Sequence, residues 1–485
     1  MENATGNFAS GLGLSLNGQS AVPLYRQIQD HIRERIEAGV LRDGDRLPPT
    51  RDLAEALRLN RATVAAAYRA LEEEGLLRGH VGRGSFVQSR QFAPTPASDP
   101  AWPTEAAISF STARPSDALF PIADFRRSAH EVLAGDLAPI LQLGSPIGYE
   151  PFRRHLLEAL AASGQAQPAD DLIVTSGCQQ ALDLLQRVLA PAGSTVFVED
   201  PIYPGLRELF RRAGVRLAGI PVGAGGIDIG ALDRALHREH PALIVVTPDF
   251  QNPTGITLPL EQRDQLLGLA AAHGVPLVEN AAYSALRHEG EPVAALKRMD
   301  RAGLVIQVGS FSKLAFPGLR IGWIAAPRTI VERAAVAKQW ADLHSDQLSQ
   351  AILHRFLASG RMEAHRRKVI EAGRERLDAT IAGLREFFPG GTSFARPEGG
   401  MNIWVELPAP ADAEEILPKA IAGGVSFLPA RYFAVGDFPR GALRLSFAGL
   451  APGEIRRGLQ VIGGIAAKAI HGGEASRLPL ASAIV

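Results

Sequence analysis

VGSFSKLAFPGLRIGW, residues 308–323, places Lys313 after Ser310 and Ser312 and before a Pro-Gly-Leu-Arg turn that ends at Arg320. The chain uses arginine for nearly every cation: six of its 51 basic residues are lysine. Lysine, unlike arginine, can lose its proton and attack a carbonyl carbon to form an imine. Two hydroxyls, a glycine-containing turn and a guanidinium are donors that suit a phosphate. An imine-forming amine beside a phosphate cup suggests pyridoxal phosphate. A surface lysine next to a serine turn would carry the same residues.

Working outward, LVIQVG (304–309) is one of five apolar runs with β character. The others are DLIVT (171–175), TVFVE (195–199), ALIVVT (242–247) and PLVE (276–279). Helical segments such as CQQALDLLQRVLA and LEQRDQLLGLAAAHG lie between them. Continuous apolar strands alternating with helices predict a parallel or mixed α/β sheet covered on both faces. From about 330 to 470, arginine-rich amphipathic helices and the strands NIWVEL and ALRLSF predict a smaller α+β subdomain. Between these elements lie further candidates for the chemistry of Lys313. SGCQQAL (176–182) puts Gly177, Cys178 and Gln179 at a strand-to-helix turn, where helix amides bind phosphate. DPIYPG offers Tyr203 as a flat ring to stack on a pyridine. PDFQNPTG offers Asn252 as a donor to a phenolic oxygen, and ENAAY offers Asn280 and Tyr283 after a strand. ALRLSF offers Arg444, suited to a bidentate grip on a carboxylate.

The N-terminal part has a different pattern. Tyr25, Ile28, Ile32 and Ile36 recur at helical spacing, with Gly39 as a stop. A second helix is expected near Thr50 as N-cap, with Leu53 and Leu57 inward. RLN then turns the chain into RATVAAAYRALEEEG, which buries Val64, Tyr68 and Leu71. LLRGHVGRGSFV reads as strand, glycine-rich turn, strand. Three helices and a β-ribbon predict a winged helix-turn-helix, with Arg51, Arg61, Thr63 and Arg69 on its helices and Arg83 at the wing tip. Residues 1–90 hold 12 Arg and 11 Asp or Glu, so the electrostatic footprint is weak. The acids gather in Glu72, Glu73 and Glu74, away from the first turn of the recognition helix. Residues 1–20 are expected to be disordered, and residues 89–108, rich in Pro, Ala and Ser, to be a semi-rigid linker.

The order "G-x-L-x-x-G-x-R-L-P", "R-x-L-A", "R-x-T-V-x-x-A-Y-x-x-L" and "G-x-G-x-F-V" over Pro23–Val87 closely resembles the N-terminal domain of GntR-family transcription regulators. That resemblance implies contacts to double-stranded operator DNA from Arg51, Arg61, Thr63, Tyr68, Arg83 and Gly84. The succession from Ser176 to Arg444 resembles the fold-type I aminotransferases over residues 110–470. It implies that Lys313 carries pyridoxal phosphate as an imine (Schiff base). Ser310, Ser312, Arg320 and the amides at Gly177, Cys178 and Gln179 would hold its phosphate. Tyr203 and Asn280 would meet the ring, Asn252 and Tyr283 the ring oxygen, and Arg444 an amino-acid carboxylate. A GntR-type winged helix joined to an aminotransferase-like domain is the layout of the MocR subfamily of regulators. The expected architecture is therefore multidomain. A winged helix-turn-helix at 21–88 precedes a linker and an α/β transferase fold at 109–475, divided near 328 into a large part and a smaller α+β part, with a tail at 476–485.

Two departures bear on function. Aminotransferases have aspartate at the place of Asn280, where its charge keeps the pyridine nitrogen protonated. The adjacent Glu279 is expected to face the other way on an alternating strand. Leu143 stands where the family has a tyrosine that reaches a partner subunit's phosphate. Both favour a regulator that senses an amino acid or amine, over a working aminotransferase with a DNA-binding appendage; a regulator whose large domain has lost the cofactor is a third reading. A homodimer is expected.

The bulk numbers are compatible with this. With 46% hydrophobic and 21% charged residues and zero net charge, the composition is that of a globular protein. One cysteine, Cys178, excludes an internal disulfide and a cysteine-based metal site, and no metal centre is expected. No uninterrupted apolar run suits a membrane span, and MENATGNFAS lacks a secretory pattern, so a cytoplasmic location is expected.

Overall fold

The computed structural model describes residues 22–37, 40–41, 44–80, 84–87 and 106–475, with residues 16 and 20. They form two compact units divided at residue 101. Gly39, Arg83, most of residues 1–20, residues 89–105 of the expected linker and the 476–485 tail lie outside the described residues.

In the first unit, α1 (Leu24–Glu37), α2 (Thr50–Leu57) and α3 (Arg61–Glu73) precede a hairpin of β1 (Leu77–His80) and β2 (Gly84–Val87). Its strands pair antiparallel, from Leu77 opposite Val87 to His80 opposite Gly84. Ile28, Ile32, Leu53, Val64, Tyr68, Leu71, Leu77 and Val87 make one buried core. Tyr25, three residues before Ile28, is left at the surface. Thr50 is the first helical residue of α2 rather than its cap; Pro49 precedes it, and the Pro49 carbonyl accepts from the Leu53 amide. The capping side chain is on α3, where Asn60 Oδ1 accepts from the Ala62 amide at 2.9 Å. Glu74, just past α3, accepts from Arg33 at 2.7 Å and Gln29 at 2.6 Å, tying α1 to the end of α3.

The second unit begins with β3 (Ile108–Ser109). Its main sheet contains β4 (Asp170–Thr175), β5 (Thr195–Asp200), β6 (Arg216–Gly223), β7 (Gly226–Ile227), β8 (Leu243–Val246), β9 (Leu277–Asn280), β10 (Val305–Ser310) and β11 (Gly322–Pro327). Their order is β4-β11-β10-β9-β8-β5-β6-β7. The run β10-β9-β8-β5-β6 is parallel, while β11 lies antiparallel to both β10 and β4, so the sheet is mixed. Successive residues of a strand pack on opposite faces, which is why the strands are apolar throughout. Val198, Val278 and Ile306 join Leu182, Leu185 and Val331 on one face. Phe197, Leu277 and Val305 join Leu266 and Leu232 on the other.

A smaller antiparallel sheet, of order β12-β13-β16-β15, is made of β12 (Ser393–Phe394), β13 (Asn402–Glu406), β15 (Leu428–Pro429) and β16 (Ala442–Ser446). β14 (Val425–Ser426) pairs in parallel with β3. Helices Arg361–Phe387 and Pro452–Ala475 bury Leu377, Ile381, Leu384, Ile455, Leu459 and Ile462 in the same core as Ile403 and Leu445 of this sheet. The division expected at 328 falls one helix early. Helix Arg328–Asp342 packs Val331 and Ala334 against the large sheet, in the core that holds Ile173 and Ile324.

Candidate functional site

The C-terminal ends of five strands of the main sheet converge on one cavity of about 110 Å³ that opens to solvent. Ligands bind outside the carboxyl ends of strands in open α/β sheets because chain reversals there expose backbone donors and short loops. After β4 come Cys178 and Gln179, after β5 Tyr203, after β8 Asn252. Asn280 ends β9 and is followed by Ala282 and Tyr283. Ser310 ends β10, followed by Ser312, Lys313 and Arg320. All of them line the cavity. Thus ten of the residues selected by sequence are brought together, and Ala282 is added.

One wall is a cup of hydrogen-bond donors. Gly177, at φ +84°, turns the chain from β4 into helix Cys178–Leu189, aiming the first amides of that helix outward. A Cβ on Gly177 would lie 2.5 Å from the Arg320 guanidinium, so this residue sits beneath the cup, and its φ of +84° with ψ 171° is a conformation that favours glycine. Arg320 itself holds a left-handed conformation at φ +54° and donates to Ser312 Oγ at 3.3 Å and to the Ser176 carbonyl at 3.4 Å. Ser310 Oγ donates to Ser312 Oγ at 3.1 Å. Gln179 Oε1 is buried without a hydrogen-bond partner. The antiparallel β11 fits beside β10 because Gly309 has no side chain: its Cβ would fall 2.1 Å from the Trp323 indole.

Lys313 stands at the centre. Its Nζ donates to the Ala113 carbonyl at 2.6 Å and lies 5.7 Å from the Tyr283 ring centre. Burial, with the nearby Arg444 and Arg320 charges, pushes its ammonium down to about 8. No carboxylate is among the cavity's lining residues. Burial also pushes the Cys178 thiol up to about 11 and the Tyr203 phenol up to about 12, so both stay neutral at pH 7.

Opposite the cup, Asn252 Nδ2 donates to Tyr283 Oη at 3.3 Å, and Arg444 Nη1 donates to Asn252 Oδ1 at 3.3 Å. Arg444, on β16, is 2% exposed and lies over the Phe433 ring. Its Nη2 donates to the Ser111 carbonyl, and its Nε has no partner. No carboxylate among the described residues pairs with it; burial lowers it to about 10, still cationic at pH 7. Asn280 and Glu279 separate as an alternating strand requires. Asn280 faces the cavity, accepting from Cys178 Sγ at 3.6 Å, while Glu279 is fully buried on the other side, accepting from the Leu296 and Lys297 amides.

In the first unit, Arg51 is the second residue of α2, and Arg61 and Thr63 lie in the first turn of α3. Both arginines are exposed, and among the described residues neither has a carboxylate partner. Gly84 opens β2 at φ +107° with the Arg46 guanidinium against it. Arg46 is an exposed cation that helical periodicity could not select, because it lies in an extended bridge to Phe86. Tyr68 is not on this face. It is 3% exposed within the core, and its hydroxyl donates to the Pro48 carbonyl at 2.8 Å. A buried phenol already satisfied by the backbone has no donor to offer a base.

The chain belongs to the aminotransferase class I and II family, whose profile matches residues 108–462, and its residues 24–87 match the bacterial regulatory proteins of the gntR family. It is similar to the probable rhizopine catabolism regulatory protein MocR of Rhizobium meliloti, 30% identical over 92% of this chain and 94% of that protein. Aromatic-amino-acid aminotransferase 1 of Thermococcus litoralis is 34% identical over 74% of this chain and 87% of its own length. Among solved structures, LysN, the alpha-aminoadipate aminotransferase of Thermus thermophilus complexed with a phosphopyridoxyl-leucine, superposes with a TM-score of 0.71, at 33% identity, covering 77% of this chain and 94% of that one. The protein is thus a GntR-family regulator fused to an aminotransferase-like domain, in the manner of its MocR relatives. Among the described residues no helix is long and apolar enough to cross a membrane.

Proposed function

We propose that the protein is a transcription regulator that binds pyridoxal phosphate at Lys313 and senses an amino acid through Arg444. The observation that carries this reading is a lysine amine lowered to about 8 in a cavity without a lining carboxylate, between an anion cup and a second buried cation. The donor set fits the cofactor. Ser310, Ser312, Arg320 and the amides of Cys178 and Gln179 would take the phosphate. Tyr203 would cover the ring, Asn280 would accompany its nitrogen, and Asn252 and Tyr283 would meet the ring oxygen. When bound, the cofactor supplies an aldehyde for amines and an electron sink for the bonds around their α-carbon. Lys313 supplies the neutral nitrogen that holds it. Arg444 orients an incoming carboxylate, and Asn252 steadies both Arg444 and Tyr283.

Asn280 favours sensing over turnover, because a neutral amide cannot keep a pyridine nitrogen protonated. Arg51, Arg61 and Thr63, with Arg46 and the wing at Gly84, form the DNA-reading face in this proposal. A homodimer in the cytoplasm is the assembly this reading requires. Trp340 is 85% exposed and Leu143 73% exposed, with Leu141 and Leu343 beside them in sequence, and Gln347 ties the two segments by donating to the Ile140 and Gln142 carbonyls. Exposed apolar side chains of this kind suit a subunit contact.

The test is the visible spectrum of the purified chain with pyridoxal phosphate, followed by titration with L-amino acids and with amines that lack a carboxylate. Colour that borohydride fixes on Lys313 supports the reading; a chain that takes up no cofactor refutes it.

A further inference from the structure

The two cations that a ligand would engage in the cavity both hold the same short piece of backbone. Arg444 donates through Nη2 to the carbonyl of Ser111, and Lys313 donates through Nζ to the carbonyl of Ala113 at 2.6 Å. Just upstream the chain is stitched to the smaller sheet. β3 pairs with β14, the Phe110 amide donates to the Ser426 carbonyl at 2.8 Å, and the Phe110 carbonyl accepts from the Ser446 amide at 2.9 Å. Phe110 is fully buried. Arg444 stands on β16 of the smaller sheet and Lys313 follows β10 of the main sheet, so residues 110–113 join the two. Beyond Phe110 the anchoring changes in kind: Thr112 and Arg114 are exposed, and the carbonyls on either side of Thr112 are held by these two side chains.

We propose that residues 111–114 are a strap that reads the state of the cavity. Lys313 and Arg444 secure it while they are free, and a ligand that engages either one loosens it. This rests on the cofactor and carboxylate sites proposed above. When Lys313 condenses with an aldehyde, a C=N bond forms and the carbonyl oxygen leaves as water with both hydrogens of the neutral amine. In the neutral imine Nζ then has no hydrogen for the Ala113 carbonyl, and in the protonated imine it has one where the ammonium had three. A carboxylate on Arg444 competes in the same way with the Ser111 carbonyl, and a charged acceptor outbids a neutral one. The strap follows directly on β3, the first strand after residues 89–105, the stretch that leads from the DNA-reading unit. Loosening it leaves that connection held on this unit by the β3 pairing and Phe110 alone. A ligand shifts such an equilibrium only through its different affinity for the two states, and the two hydrogen bonds are where that difference arises.

Hydrogen exchange of the full-length chain tests this. Lys313→Ala and Arg444→Met, without any ligand, are expected to speed exchange of the amides at 111–114 about tenfold, the change that the loss of about one hydrogen bond produces. Exchange in β4 should stay as in the wild type. Pyridoxal phosphate added to the wild-type chain should speed the same amides. Unchanged exchange at 111–114 in both variants overturns the proposal. If a variant does not fold, the wild-type arm decides: colour gained without faster exchange there also overturns it. Variants that loosen the segment in a chain that takes no colour support the strap while removing the proposed cofactor.

Discussion

Glu279 and Asn280 are adjacent on β9, yet one side chain is locked under the sheet by the Leu296 and Lys297 amides and the other faces the cavity beside Cys178. The strand's alternation leaves an amide, not a carboxylate, at the position that would accompany a pyridine nitrogen. Asn280→Asp should therefore speed the conversion of bound pyridoxal phosphate to pyridoxamine phosphate by an amino acid about tenfold or more, because one pKa unit at that nitrogen is worth a factor of ten. Single-turnover spectra measure it. No acceleration with cofactor bound would contradict the role given to Asn280.

Burial disfavours the Lys313 ammonium, so its neutral, attacking form dominates above about pH 8 instead of the ordinary 10.5. The rate at which the cofactor-free chain takes up pyridoxal phosphate should rise with pH and reach half its maximum near 8. Below that, protonation removes the nucleophile. Absorbance after rapid mixing gives the profile, and an inflection near the ordinary lysine value would show that the cavity does not desolvate the amine.

Arg444→Met removes a buried cation that lies between Asn252 and Ser111. Binding of amino acids should weaken by about 30-fold or more, the loss of roughly 2 kcal/mol expected for a charge-assisted pair. Amines without a carboxylate should bind as before. Equal losses for both would indicate a packing defect.

Trp340→Glu places a charge on the most exposed of the large apolar side chains. If that surface meets a second copy, light scattering should show the variant as a monomer at concentrations where the wild type is a dimer. A variant that remains dimeric would place the contact elsewhere.

Arg61→Ala and Tyr68→Phe separate the DNA face from the core beneath it. The first should cost about 1–3 kcal/mol of operator binding and relax preference at one base pair. The second should cost about 1 kcal/mol of stability, through the unpaired Pro48 carbonyl, and leave sequence preference intact. Operator titrations and thermal melts distinguish the two.

The ring of the cavity was legible because each member follows a strand, and apolar runs mark strands clearly. What the pattern did not reveal has identifiable causes. β11 contains Gly322, Ala325 and Ala326, too small to stand out as a strand, and β6 is largely exposed along its length. Tyr68 has the spacing of both the buried and the DNA-facing stripe of α3, and its hydroxyl bond to Pro48 joins residues 20 apart in the chain. Ser111 and Ala113 contribute carbonyls, which any residue type would supply, so nothing in their identity points to Arg444 or Lys313.

A guanidinium without a carboxylate partner among the described residues does not discriminate among small organic anions at high concentration. If Arg444 receives a carboxylate as proposed above, acetate or citrate, chosen merely to set pH during purification, would compete with the effector there. Effector screens on this protein are best run in buffers whose components are cationic or neutral.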